Sequence, residues 1–406
     1  MNSVRSRRLS LFALFALPGL TISSWVTRTP AIRDLLGAST SEMGLILLGL
    51  SAGSMIGILA SGRAVARFGA RPVMIAGTAG VILSMPTIGV GAATASTATT
   101  VLGLFVFGLG MGVGEIAMNV EGADIEKTIS RPVLPALHGF FSLGTVVGAV
   151  GGIIFTTLNV PVLWHLVPIG VVASVVLILA ARHIPHGTGR EDRAVKSRAT
   201  PRSRSAVWKD PRLLLIAAIV LAMALAEGTA SDWLPLVMVD GHDFNPALGS
   251  AIYAGFAAAM TIGRFVGGGF VIRFGRASVL RTGILGGVAG MALVIFADNQ
   301  LVAAAGVVLW GLGASLGFPL ALSAAGESGD DPAKRVSFAA TVGYVALLVG
   351  PPVIGFLGDQ ATLRTALIAP LALVAAAAFI TSAVKPRQIS DVSDHTTSDV
   401  QPVGRN

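Results

Sequence analysis

Residues 99–121 read TTVLGLFVFGLGMGVGEIAMNVE. No charge interrupts this stretch before Glu115, and at 1.5 Å per residue a helix over it is about 34 Å long. A helix needs about 20 mostly apolar residues to cross the ~30 Å hydrocarbon core of a bilayer. The stretch is therefore of spanning length, and Gly108, Gly110, Gly112 and Gly114 are small residues of the kind that let membrane helices approach closely. Working outward, similar apolar segments are expected near 9–28, 42–65, 72–93, 132–157, 161–181, 212–232, 247–271, 278–297, 301–325, 336–358 and 364–384. With 99–121 they form an all-α set of twelve spans. Composition agrees, because charged residues are 12% of the 406, against about 25% in soluble domains.

Charge placement gives the topology. Of the 29 lysines and arginines, all but four fall on segments that alternation puts on one side. The exceptions are Arg28, Arg33 and Arg364 on the other side and Arg264 within a span. Positive charge collects on cytoplasmic loops, so both termini are expected in the cytoplasm. The formal charge of +8 is then a topology signal rather than a nucleic-acid footprint, and no nucleic-acid partner is expected. With no cysteine in the chain, disulfides, thiol catalysis and zinc–thiolate sites are excluded. Arg5-Ser6-Arg7-Arg8 before an apolar run resembles a secretory signal. The run continues to Trp25, so it is expected to remain as the first span. Residues 183–210 are rich in arginine and serine without a helical apolar period, and read as a flexible cytoplasmic linker. It would join six-helix bundles at 1–182 and 211–385, followed by a disordered tail at 386–406. The abundance of arginine and alanine suggests a bacterium, and hence its inner membrane.

The halves repeat. Arg67-Phe68-Gly69 returns as Arg273-Phe274-Gly275, and Gly57 and Gly62 return in register as Gly263 and Gly268. Gly108-Leu109-Gly110 returns as Gly311-Leu312-Gly313, and Trp25 has a counterpart in Trp233. Such repetition is the sequence sign of a transporter built from two halves around a central site.

These motifs resemble the major facilitator superfamily over nearly the whole chain. Its loop signature Gly-x-x-x-Asp-Arg-x-Gly-x-Arg appears as Gly62, Ala66, Arg67, Gly69 and Arg71, and again as Gly268, Ile272, Arg273, Gly275 and Arg276. The resemblance implies a latch between the halves on the cytoplasmic side, with fewer charge pairs because both copies lack the aspartate. The alternative is that these arginines only anchor helix ends at headgroup level. A narrower resemblance is to the YbjJ-like members, similar to the fucose–proton symporters. It is carried by Trp25–Pro30, Gly114–Gly122, His138–Gly144 and Ala226–Pro235. In the fucose symporters a Glu-x-x-x-Asn of the fourth helix serves proton coupling and sugar binding, and Glu115 and Asn119 match it. Val26 stands where that family has an acid in the first helix.

A carboxylate in mid-membrane is costly and usually faces a cavity or a partner. Glu115 lies about 20 Å from the outer edge of its helix, with Asn119 one turn on along the same face. It is the candidate proton carrier. The alternative is a structural carboxylate paired with Arg264 or His138. His138, about 9 Å into the fifth helix and at a depth similar to Glu115, is a candidate substrate ligand, or a histidine bonded to a backbone carbonyl. Arg264, about 12 Å deep, follows a glycine as often in the resembled superfamily, where a structural pairing is favoured. Glu227 and Asp232 lie about 140° apart around one helix. The deeper Glu227 is a second intramembrane candidate, and Asp232 is expected near the outer boundary, paired with Arg28 as a gate. Trp25 and Trp233 are candidates for stacking on a sugar, or for an interfacial aromatic belt.

Gly49-Leu50-Ser51-Ala52-Gly53 matches a hydrolase motif, but lies in a spanning helix rather than the strand–turn–helix that the chemistry requires. The alternating glycines from Gly108 follow no strand and precede no Walker lysine. No enzyme activity, cofactor, metal or ATP site is expected. The reading is a secondary transporter for a small polar solute, proton-coupled and monomeric, with lipids and protons as its other partners. Its rivals are an exporter of amphiphilic or cationic compounds and a membrane sensor that does not transport.

Overall fold

The computed structural model describes residues 2–129, 133–190 and 207–385. The inner part of the expected linker, 191–206, and the expected tail, 386–406, lie outside the described residues. Among the described residues every regular element is a helix. That is the outcome required of a chain in hydrocarbon, where backbone groups must be satisfied within the segment. The first half comprises α1 (Asn2–Val26), α2 (Thr29–Leu36), α3 (Thr40–Phe68), α4 (Ala70–Ala93), α5 (Thr97–Ile129), α6 (Leu134–Thr157) and α7 (Val162–Ala181). The second comprises α8 (Pro211–His242), α9 (Pro246–Phe274), α10 (Arg276–Phe296), α11 (Gln300–Ala314), α12 (Gly317–Glu327), α13 (Pro332–Gln360), α14 (Leu363–Ala366) and α15 (Ile368–Phe379).

Among the described residues eleven helices are long and apolar enough to cross a membrane, with α11 and α12 counted as one. The twelfth expected segment is a shorter apolar helix, Leu363–Phe379, divided at Leu367. Pro370 has no N–H to offer the Ala366 carbonyl, so the ladder restarts there. Two differences from the sequence reading matter for the site. α5 continues to Ile129, well past 121, and so buries Glu121. The short helix α2, opened by Pro30, lies between the first two spans where a loop was expected.

Packing within each half is backbone against backbone. A Cβ added at Gly108 would overlap the Leu50 carbonyl oxygen, one at Gly53 that of Phe105, and one at Gly144 that of Ala16. These contacts join α3 to α5 and α1 to α6, which are among the most extensive pairings. Gly69 and Gly275, the matching glycines of the two halves, turn the α3–α4 and α9–α10 corners at φ 85° and 78°. Side chains with a Cβ rarely adopt such angles, so these two glycines serve the corner itself.

The halves meet through α3 with α13 and α6 with α9. A Cβ on Gly44 would stand 2.7 Å from the Pro351 carbonyl oxygen. The Ser250 hydroxyl donates to the Thr27 carbonyl at 2.9 Å, and the Ser41 hydroxyl donates to Asp359 at 3.0 Å. Arg33 pairs with Asp240. All four contacts lie at the end remote from the termini. That end is closed.

Gly108→Ala is expected to cost about 1–3 kcal/mol through overpacking of α3 on α5. Gly151→Ala, where an added methyl meets nothing within 4 Å, should be neutral. Thermal melts of the two variants in detergent check this.

Candidate functional site

Glu115 stands about 27 Å from the start of α5 and about 21 Å from its end, which is mid-span. It is partly buried, as is Asn119 one turn on. Among the described residues its carboxylate has no hydrogen-bond or ion-pair partner. Tyr344 on α13, in the other half, is close enough to interact with it electrostatically. The sequence alternative, a fixed pairing with Arg264, is not what the geometry shows.

Arg264 instead donates from Nη2 to Glu227 Oε1 at 2.9 Å, and from Nε to the Ser315 carbonyl at 3.4 Å. The Arg264 and Glu227 side chains are 35% and 32% exposed. Solvent screening leaves such a pair little stabilising energy, so both charges remain available to a solute. His138 on α6 lies near Arg264 of the other half, is exposed, and packs its ring edge-on to Phe15 at 5.4 Å. Gly122 of α5 packs against the Leu134 and Leu137 side chains of α6.

The two tryptophans point elsewhere. Trp25 and Trp233 are each 1% exposed, within one hydrophobic core, with Trp25 edge-on to Phe107 at 6.1 Å. Neither offers an exposed face, and neither sits in an interfacial belt. Arg28 is buried, and its guanidinium donates to Thr156 Oγ1 at 3.3 Å and to the Val160 carbonyl at 2.6 Å. Asp232 is buried on α8 among Gly228, Thr229, Leu347 and Pro351. The structure does not bring Arg28 and Asp232 together. Among the described residues the ion pair that joins the halves at this end is Arg33 with Asp240, five and eight residues beyond the expected partners and signalled only by an arginine on the sparsely basic side.

At the termini end the signature arginines stay within their own halves among the described residues. Arg67 lies over Phe68 at 5.1 Å and Arg273 over Phe274 at 5.2 Å. Arg71 meets His186, and Arg276 pairs with Glu327 at 2.5 Å. Gly62 and Gly268 have open space where a side chain would be. The latch implied by the resemblance is not engaged here.

The cluster that sequence reasoning missed ties α1 to α5. Arg7 donates to Glu121 at 2.5 Å and to Asp124 at 2.7 Å. Glu121 is fully buried. The signal was present, because an acid at the end of an apolar stretch needs a cation, but nothing in the order of residues says that Arg7 supplies it. Glu126 accepts from the Val133 and Leu134 amides at 2.6 and 2.9 Å, capping α6.

Two halves of membrane-spanning helices with charges at mid-span are the architecture of a membrane carrier. The family model described as Major Facilitator Superfamily matches residues 9–331 and 234–400, and the chain belongs to that family. It is a multi-pass membrane transporter. A relative, an uncharacterised MFS-type transporter of Yersinia pestis, is 31% identical over 362 residues, covering 89% of this chain and 91% of the relative. Among solved structures, a variant of the nucleoside transporter NupG aligns with TM-score 0.74 at 14% identity, over 93% of this chain and 99% of that one. A variant of the E. coli fucose:proton symporter FucP aligns with TM-score 0.64 at 18% identity, over 94% and 98%. At these identities the structural likeness speaks to the fold.

Arg7→Met leaves Glu121 buried without its cation and is expected to destabilise by about 3 kcal/mol. Adding Glu121→Gln should recover much of the loss. Melting midpoints of the two variants and the parent in detergent form the check.

Proposed function

We propose that this transporter is a proton-coupled carrier of a small, polar, hydroxyl-rich solute, working by alternating access. The observation that carries the reading is Glu115, a mid-span carboxylate without a partner among the described residues, across from Tyr344 of the other half. A lone carboxylate in such a place is stable when it holds a proton or faces water, and it exchanges the proton as its access changes. Asn119 supplies an amide donor and acceptor beside it. The Glu227–Arg264 pair presents both charges to the same space, as groups that could bond hydroxyls without a net charge on the solute. The nucleoside and fucose carried by the structural neighbours fit that chemistry. Positive charge at the termini end supports a bacterial inner membrane with both termini cytoplasmic.

Glu115→Gln preserves shape and fixes a neutral state. Gradient-driven uptake into proteoliposomes should fall at least about tenfold, a loss of about 1.4 kcal/mol of coupling, while solute exchange persists. A structural carboxylate would instead lose both activities or fold poorly. Full accumulation by the variant would remove Glu115 from the mechanism.

The orientation has its own check, made simple by a chain without cysteine. Single cysteines at residues 183–190 and in the Asp240–Asn245 loop should label oppositely with an impermeant thiol reagent on intact cells. Labelling of both from outside would contradict the topology.

A further inference from the structure

Arg28 stands between α1 and α2 at the remote end and is 5% exposed. Its guanidinium donates to Thr156 Oγ1 and to the Val160 carbonyl, both neutral acceptors. Its Nε is buried without a hydrogen bond among the described residues. No carboxylate among those residues pairs with it, whereas Arg7, Arg33, Arg264, Arg276, Arg335 and Arg364 each have one. A guanidinium does not give up its proton in a protein, so the charge remains, and a buried charge without a counter-charge is costly.

The groups around Arg28 suit an anion. The Val160 carbonyl that it grips lies two residues before α7 begins at Val162. That contact sets the guanidinium at the N-terminus of a 20-residue helix, where unpaired amides and the helix dipole favour negative charge. No side chain caps this end. In the first turn of α7, His165 is fully buried, and neither of its ring nitrogens has a partner among the described residues. In either tautomer a neutral imidazole keeps one N–H to donate. The ring stacks at 4.5 Å on Phe155, the residue beside Thr156, and lies within electrostatic reach of Arg28.

The helix packing leaves this place to side chains. α6 pairs chiefly with α1 and α9, and α7 with α4 and α1, so it is Phe155 that crosses from α6 to α7. Gly151, one turn inward of Phe155 on the same face, has nothing within 4 Å of where a Cβ would stand.

We propose that Arg28, His165 and the N-terminus of α7 hold a small inorganic anion, a halide such as chloride, between the ends of α1, α6 and α7. Burial decides the size class. With Arg28 5% exposed and His165 fully buried, a monatomic ion suits the site better than a headgroup-sized phosphate or an organic acid. The ion neutralises Arg28 and accepts from the Nε and imidazole N–H groups. It also braces the closed end, because Thr27, next to Arg28, is the residue whose carbonyl accepts from Ser250 across the halves. The inference does not depend on Glu115 or on the nature of the solute.

Thermal melts of the purified protein in detergent test this, with sodium chloride set against sodium gluconate at matched ionic strength. An ion that binds only the folded state raises the midpoint with each roughly tenfold increase above its dissociation constant, so the parent should climb in chloride and stay flat in gluconate. Crystals grown in bromide should give an anomalous peak beside Arg28 Nε and the His165 ring. His165→Phe keeps a ring on Phe155 but has no nitrogen, and Arg28→Met removes the charge. Both should lose the chloride response whatever their midpoint in gluconate, while Arg33→Gln retains it. If Arg28→Met does not fold, His165→Phe decides. Equal midpoints of the parent in the two salts, or an undiminished response in His165→Phe, overturns the proposal. Stabilisation in gluconate by phosphatidylglycerol, with none by chloride, assigns Arg28 to a lipid phosphate and also overturns it.

Discussion

The structure depends on helix backbones coming into direct contact. In lipid the hydrophobic effect gives no reason for one apolar helix to prefer another, so association rests on close packing. Gly53, Gly108 and Gly112 let α3 and α5 touch at the carbonyls, and Gly290, Gly306 and Gly313 do the same for α10 and α11. Such contacts are rigid, since a side chain can change rotamer and a carbonyl oxygen cannot. The boundary between the halves shares this close packing at one place, where Gly44 meets Pro351 and Gly355 meets Thr40. Its cross-half polar contacts at the remote end, among the described residues, are single hydrogen bonds and one ion pair, which can be broken and remade.

The fold was legible because its signals are local. Spanning length, loop charge and the repeated Arg-Phe-Gly corner each lie within a few consecutive residues. The corner glycines illustrate this, since positive φ at Gly69 and Gly275 is a property of the turn itself. The twelfth span was less legible, because one proline, Pro370, decides whether an apolar stretch forms one helix or two.

The site was legible only in part. Mid-span placement of Glu115 follows from counting along one helix. Pairing does not, because it depends on which helices adjoin and on their relative height. Arg264 was correctly placed inside the membrane, but of the acids available to it the structure selects Glu227 on the neighbouring α8. Arg7 and Glu121 are 114 residues apart, and only the packing of α1 brings them together.

The two halves share a backbone plan, and each combines a paired intramembrane acid with an unpaired one: Glu121 with Arg7 in the first and Glu227 with Arg264 in the second, against Glu115 and Asp232, which have no ion-pair partner among the described residues. The contrast matters because an ion pair fixes charge, whereas an unpaired carboxylate leaves charge to be set by a proton. The signature arginines add a complementary point. At the termini end they are satisfied inside their own halves, by Phe68, His186, Phe274 and Glu327. Closing that end thus need not begin from buried, unpaired cations, because each arginine would exchange one partner for another. The remote end behaves alike, since Arg33 touches both Asp34 of its own helix and Asp240 of the other half. When the halves part there, Asp34 remains as its partner. A carrier that must visit both states with comparable ease cannot leave a strong charge stranded in either, and partners that can be exchanged within one half meet that requirement at both ends.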